Sequence, residues 1–593
     1  MGNLDQIWFL LSLFWVLIFC SIFQEMNCQI PISPMRIKLF LSFIFSIVML
    51  PLVAQDTYLP IGSLSNAILD RMEIKSGEIN QGYFHTSNKN YKRGNIVAYA
   101  LAYDTSLLSK QDMANRQYLL NENIEWSKSK AEKPKHPSTQ FYKEKAALFS
   151  VLDSQFNLVI NPVLYFQVSN NHQNGKSYSY INNRGIEMRG TLGHNIGFYS
   201  QISDEILEPT TWTLKQYQTD TFLPYVNFYS RNTSNAFNYY RANAYINVKV
   251  NPFIDIQFGH TRNFIGDGYR SFILGDNQPE YLNLRLNTHF WKVNYTNIFA
   301  ELRDYPNAMP WGRNPQPRHY MAAHHLSMNV VKNLNIGVFE CILFKRDSGY
   351  INNTFDVNYL NPIIFYKSVE NGLNSVDKAI IGLHGKWNIK RKASVYGQFV
   401  LSEFVLNDLL AGTGSFANKY AYQIGAKIID IAKVNNLDFQ AELNVSRPYM
   451  YTSYTTNQNY ANFRQSLGHP LGANFWEGIA LIKYQTSAKL FLQTKCIYSV
   501  QGLDTNNSNW GSNILKSYMS RNTERYGNYI GQGVQVQNLL LEFCATWMPK
   551  HQLFIDFTIG KRQSQAPLDW FNENSAYGTI CIRYQFSKRT DDF

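Results

Sequence analysis

The chain has 593 residues, 15% of them aromatic (39 Tyr and 39 Phe) and only 17% charged, with a formal net charge of +12. Together with a slightly negative mean hydropathy, this excludes a disordered chain and a bundle of membrane helices. It suits strands that have one wet and one greasy face, with aromatics at the boundary.

Two apolar runs open the chain, "WFLLSLFWVLIFCSIF" from Trp8 and "LFLSFIFSIVMLPLVAQ" from Leu39. The second follows Met35-Arg36-Ile37-Lys38 and has the basic start, apolar middle and small-residue end of a secretory signal. Met35 is therefore read as the true start, with residues 1–34 an upstream extension, 35–55 a signal peptide and cleavage near Ala54 or Gln55. A two-helix membrane anchor is the alternative. Four cysteines follow, Cys341, Cys496, Cys544 and Cys581, too scattered for a disulfide framework and without metal-ligand spacing.

Residues 56–145 do not alternate. "SLSNAILDRMEI" and "SKQDMANRQYLLNENIEW" read as helices, the second opened by Ser109 with Asp112 near a capping box and with Met113, Leu120 and Ile124 on one face. This region is expected on the periplasmic side, below the main body, joined to it by the linker "KSKAEKPKHPSTQ".

From residue 146 to 593 period-two alternation recurs. In "YLNLRLNTHF" Leu282, Leu284 and Leu286 oppose Asn283, Arg285 and Asn287; "LDFQAELNVS" and "LFIDFTIG" behave alike. About eighteen such segments are expected between residues 152 and 586. Their connections alternate between short turns ("NP" at 251, "KNL" at 332) and long loops (264–280, 346–377, 448–474, 501–535). That rhythm predicts an all-β fold, a transmembrane antiparallel β-barrel of about 18 strands with a small N-terminal periplasmic helical region. "YGTICIRYQF" would be the closing strand, although "SKRTDDF" follows it. Inward positions carry both signs (Arg285, Lys427, Arg583; Asp255, Asp438, Glu442, Asp556), which favours a filled, poorly conducting interior.

Candidate chemistry concentrates in the loops. "GDGYRS" at Gly266 lacks the third glycine and the βαβ setting of a dinucleotide loop, and "GTGSFA" at 412 and "NGKS" at 174 fail on context. His324 and His325 are adjacent on one strand and leave by opposite faces, so they cannot share a metal. No nucleophile–base pair can be drawn, and no cofactor, catalytic set or nucleic-acid interaction is expected. Arg262, Asn263, Asp267, Tyr269 and Arg270, at the end of one strand and in the loop after it, offer the aromatic faces and planar donors that bind sugars. The same residues could equally knit that loop to the barrel wall. Trp311, Arg447 and Tyr449 repeat the character in "MPWGRNPQPRHY" and "RPYMYTSY".

These strings, with "RNFIGDGYRSFILGDN", "YLNPIIFYKS" and "GHPLGANFWE", resemble the capsule-assembly, Wzi-like outer-membrane proteins, in particular the Bacteroidetes branch that includes the gliding-motility surface protein RemB. The resemblance covers most of residues 56–586. It implies an eighteen-stranded barrel with a periplasmic helical segment in the outer membrane of a Gram-negative bacterium, its loops at the cell surface. It also implies a non-enzymatic role in holding surface or capsular polysaccharide. The partners expected are that polysaccharide, outer-membrane lipid and lipopolysaccharide, and a periplasmic or motility-machinery protein. A porin or transporter for small solutes is the alternative reading, and an outer-membrane hydrolase a remote one.

Overall fold

A computed structural model describes residues 56–592 apart from 80–82, 128–129, 135–140, 154, 172–177, 194, 221, 232–235, 305–316, 346, 349–350, 353, 366–376, 506 and 591. The expected extension and signal segment and Trp311 lie outside the described residues.

Eighteen strands form the wall. In chain order they are β1 (Phe156–Asn171), β2 (Tyr178–Leu192), β3 (Ile196–Glu208), β4 (Phe237–Lys249), β5 (Ile254–Thr261), β6 (Tyr281–Phe290), β7 (Val293–Arg303), β8 (Arg318–Val331) and β9 (Leu334–Phe344). There follow β10 (Lys378–Ile389), β11 (Ala393–Glu403), β12 (Lys419–Ile428), β13 (Leu437–Ser446), β14 (Phe475–Ser487), β15 (Leu490–Leu503), β16 (Val534–Lys550), β17 (Leu553–Gln565) and β18 (Glu573–Tyr584). Each pairs antiparallel with the next, and β18 returns to β1 in the register Leu164↔Tyr584 to Asn171↔Tyr577, closing the cylinder. Closure leaves the sheet without an unpaired edge. The eighteen expected segments all appear, with boundaries shifted by a few residues.

Alternation follows the sequence pattern. On β6, Tyr281, Asn283, Arg285 and Asn287 are buried while Leu282, Leu284 and Leu286 are not, so polar side chains face the lumen and leucines face out. Exposed aromatics mark both rims. Phe253, Phe290, Trp291, Trp387 and Trp547 sit near the short turns, and Tyr178, Tyr240 and Trp476 near the long loops.

The N-terminal region holds α1 (Leu64–Ser76), α2 (Arg93–Ala102) and α3 (Lys110–Glu122). The capping box opens α3, with the Ser109 hydroxyl accepting from the Asp112 amide at 3.1 Å. Leu120 and Ile124 are buried as expected, but Met113 is 41% exposed and does not share their face. Helix α2 was not anticipated: "RGNIVAYALA" is too evenly apolar to show a helical period.

This region is seated inside the short-turn end, not beneath it. Arg71 of α1 bonds Asp112 (2.8 Å), Asp430 in the β12–β13 turn (2.7 Å) and inward Asp438. Asn115 and Gln485 exchange amide hydrogen bonds at 2.7 and 3.0 Å, and Arg189 on β2 reaches Glu125 at 2.6 Å. Above the helices, residues 84–92 meet the β5–β6 loop in mid-lumen: the Gly266 amide donates to the Ser87 carbonyl at 2.7 Å and the Lys89 amide to that of Phe264 at 3.1 Å. The β13–β14 loop closes over them. Phe272, Ile273, Leu274, Met450, Tyr451 and Tyr460 form an apolar core with inward Met321, Phe339 and Phe475.

Residues after β18, which interrupt the expected closing signal, turn back into the lumen. Ser587 donates to the Ile61 carbonyl at 3.3 Å, Arg589 pairs with Glu205, and Asp592 pairs with Lys495 at 2.6 Å and Arg270 at 3.3 Å. Helices, loops and this tail together occupy the lumen among the described residues, with a cavity of about 320 Å³ left between α1 and the inward faces of β12 to β18.

Candidate functional site

The β5–β6 loop (262–280) drops into the barrel. Gly268 shows why glycine is required there: a Cβ on it would lie 2.6 Å from the Glu442 carboxylate and 2.7 Å from the Gln423 amide, both inward-facing. Over that close approach, Glu442 accepts from the backbone amides of Tyr269 (2.7 Å) and Arg270 (3.1 Å). The glycines of the phosphate-like string thus serve loop seating.

Most of the candidate residues are engaged by the protein itself. Asn263 is buried and donates to the Tyr281 hydroxyl at 3.1 Å. Asp267 is buried 3.5 Å from the Lys386 ammonium, and its carbonyl accepts from Lys427 at 2.6 Å. Burial raises the Asp267 carboxyl, but the ammonium groups of Lys386, Lys89 and Lys427 outweigh it and hold the group below the usual range. Tyr269 donates to Asp592, and Arg270 lies 3.6 Å from Glu477. Arg447 donates to the carbonyls of Asn418 (2.9 Å), Ser415 and Asn528 (both 3.2 Å). Tyr449 is fully buried, donates to the Asn509 carbonyl at 3.0 Å and meets Thr523 at 2.8 Å.

Arg262 is placed differently. It lines a cavity of about 130 Å³ between the N-terminal segment (Tyr58 to Gly62, Asn90), the inward faces of β3, β4 and β5, the β5–β6 loop and residues 585–590. Strand parity alone would send Arg262 outward with the exposed His260; the strand ends at Thr261, and the guanidinium turns inward to the Asp276 carbonyl (2.8 Å) and Glu280 (3.3 Å). Arg241 shares Glu280 at 3.2 Å. Tyr199 and Tyr245 stack on the wall with ring centroids 5.3 Å apart.

Gln257 is the informative member of this lining. It is 1% exposed, yet neither its amide nitrogen nor its amide oxygen has a hydrogen-bond partner within the protein. The carbonyl oxygens of Asn243 and Asn90, in the same lining, are also without one. A buried amide normally satisfies both ends, so this lining is built for polar groups that the chain does not itself supply. The volume exceeds the roughly 10–15 Å³ that one water centre requires about tenfold, enough for one ring of a polar ligand. None of Gln257, Asn243, Tyr199, Tyr245 or Arg241 was singled out from sequence. Inward parity on β3 to β5 was the available signal, but it marks dozens of positions equally.

By fold, the chain is similar to Wzi of Escherichia coli, described as an outer-membrane protein involved in group 1 capsule assembly and a carbohydrate-binding β-barrel. The identity is 11%, over 90% of this chain and 100% of that one, with a TM-score of 0.55. It is also similar, at TM-scores of 0.39 and 0.40, to OprD of Pseudomonas aeruginosa (9% identity, 72% of this chain, 94% of that one) and OccAB4 of Acinetobacter baumannii (7%, 73% and 98%). No family model and no curated protein matches the sequence. At 11% identity the likeness to Wzi establishes the fold alone.

Proposed function

We propose that this chain is an outer-membrane barrel that binds surface or capsular polysaccharide and holds it at the cell, as a Wzi-like protein of the branch that includes the gliding-motility surface protein RemB. The observation that carries the binding role is the cavity beside Arg262, with the unpartnered amides of Gln257, Asn243 and Asn90 facing stacked tyrosines and two arginines. Amides, aromatic faces and guanidinium groups are the set that recognises sugar hydroxyls, ring faces and uronate carboxylates. In this reading Arg262 contacts the ligand, while Asn263, Asp267, Tyr269, Arg270, Arg447 and Tyr449 hold the loops that shape the site. The filled lumen argues against the porin alternative, because a plugged cylinder leaves no continuous aqueous path. A net charge of +12 favours an acidic polymer and salt-sensitive retention.

The test is retention of the producing strain's own surface polysaccharide by purified protein at low salt, compared with Gln257→Leu. Losing two hydrogen bonds at about 1 kcal/mol each weakens binding roughly tenfold or more, with thermal unfolding unchanged. No retention by the unsubstituted protein at low salt, or open-channel currents in a planar bilayer, would remove the proposal.

A further inference from the structure

On most of the wall, burial alternates along each strand, but on three neighbouring strands it does not. Residues 296–300 of β7, 319–325 of β8 and 339–344 of β9 are buried on both faces. Their inward side chains, among them Ile298, Met321, Ala323, Phe339 and Cys341, belong to the lumen core. Their outward ones, Phe299, Tyr320, Ala322, Ile342 and Phe344, form a separate cluster with Tyr359 and Phe355. Something therefore covers the outside of the wall, and it is the β9–β10 loop.

Residues 354–365 lie against this outer face. The Tyr359 ring stacks on Phe344 at 4.1 Å, and Phe355 sits edge-on to Phe344 (5.1 Å) and Tyr320 (5.5 Å). Outward Tyr295 donates its hydroxyl to the Pro362 carbonyl, and the Phe365 amide donates to outward Glu340. Beneath the segment runs a polar row across three strands: Asn297, His324 and Glu340 are direct cross-strand neighbours, all at most 3% exposed, with His324 and Asn297 joined at 2.6 Å. A carboxylate and an imidazole on the outward face of a barrel would meet hydrocarbon if bare, at a cost of up to a few kcal/mol. With Thr354, Asn358 and Pro362 exposed alongside, Val357, Leu360 and Ile363 are presented outward, at 71, 44 and 60% exposure. They continue the greasy band of Ile336, Ile381 and Leu383 on the adjoining wall.

We propose that residues 354–365 form an apron whose partner is lipid hydrocarbon: a long loop folded back on the outer wall, sealing the Asn297–His324–Glu340 row and offering acyl chains an apolar surface. The Pro362 carbonyl and the Phe365 amide turned to the wall, with Val357, Leu360 and Ile363 turned away, suit a hydrocarbon contact. Residues 359–365, "YLNPIIF", are then committed to the membrane side of the barrel and not to its mouth. The inference requires the barrel to sit in lipid; it does not require polysaccharide binding.

The experiment places an environment-sensitive fluorophore on Ile363→Cys, in a full chain with Cys20, Cys28 and Cys496 replaced by alanine, since Cys341, Cys544 and Cys581 are buried. The protein is reconstituted in phosphatidylcholine vesicles with or without lipid carrying a nitroxide on the acyl chain. Leu383→Cys, outward on β10, is the lipid-contact reference. Emission at position 363 is expected to fall about twofold with acyl-nitroxide lipid, as at 383, and to resist aqueous iodide. Glu340→Ala should release the segment, giving iodide access at 363 and not at 383. Quenching at 363 by iodide alone, or protection from both quenchers by a protein partner or second copy, overturns the apron while leaving the barrel's membrane location intact. Failure at both 363 and 383 removes that location, and the apron with it.

Discussion

Lys386, on β10, is where the two halves of the filling meet, and its removal is the sharpest test of the plugged lumen. Its ammonium lies 2.6 Å from Glu73 and 3.1 Å from Asp70 on α1, 3.5 Å from Asp267 in the loop, and donates to Thr86 at 3.0 Å. At an effective dielectric of about 20, each contact near 3 Å is worth roughly 5 kcal/mol gross, against a desolvation cost of several kcal/mol for the buried ammonium. Lys427 continues to bond Asp70, and Lys89 still faces Asp70 and Asp267, so Lys386→Met chiefly removes the 2.6 Å ion pair with Glu73. The expected loss is therefore at the low end of the usual 3–5 kcal/mol for breaking a buried pair, about 3 kcal/mol. Urea unfolding in detergent micelles, followed by tryptophan fluorescence, measures it. Adding Glu73→Gln should restore at least about 1 kcal/mol, the coupling that a double-mutant cycle isolates. A Lys386→Met chain within about 0.5 kcal/mol of the parent, with no coupling to Glu73, would refute docking of the N-terminal segment in the lumen.

Three further outcomes follow from single contacts. Glu442→Leu removes the acceptor of the Tyr269 and Arg270 amides, so added trypsin should cut after Arg270 in the variant while the parent stays intact there. Gly468→Ala would bring a Cβ to 2.4 Å from the Tyr451 hydroxyl and 2.8 Å from the Phe272 carbonyl, costing about 2 kcal/mol in the same unfolding assay. Acid should loosen the N-terminal segment. Burial first, then His289 and His384, push the His85 imidazole down to about 3, where it faces Ser327 and Asn335. Between that value and the ordinary 6.5 the unfolded chain binds a proton that the folded one refuses, so stability falls as pH drops. At pH 5 the loss is about 2 kcal/mol, and His85→Gln should abolish that portion of the slope. A slope unchanged in His85→Gln would show that the imidazole is not held in the lumen.

How much of this was legible depends on what surrounds each strand. Where one face turns out of the barrel and the other into the filling, as on β6 and β13, alternation named the inward residues correctly, and Arg285, Asp438 and Glu442 all point to the lumen. On β8 the adjacent histidines parted as expected, His325 inward to His384 at 2.7 Å and His324 outward. The sequence could not say that both would be buried, because the cover on the outer side comes from a loop thirty or more residues away, and polar residues on an outward face carry no local mark. Helix α2 was missed for another reason: it buries Ile96, Val97, Tyr99 and Ala100, and its exposed side carries Ala98, Leu101 and Ala102, so it lacks the polar face that a period search needs.

The candidate site divides along the same line. Loop residues rich in chemistry drew attention, yet Asp267, Arg270 and Tyr449 spend their polar groups on the protein, since a loop lowered into a low-dielectric lumen must satisfy its own charges and amides. Gln257 sits on an unremarkable strand, one of many inward amides, and is distinguished only by having nothing in the chain to bond. Type and spacing therefore located the loops that shape the site, whereas the unpartnered amides of Gln257 and Asn243 lie on strands that carry no local mark and come together only in the folded barrel.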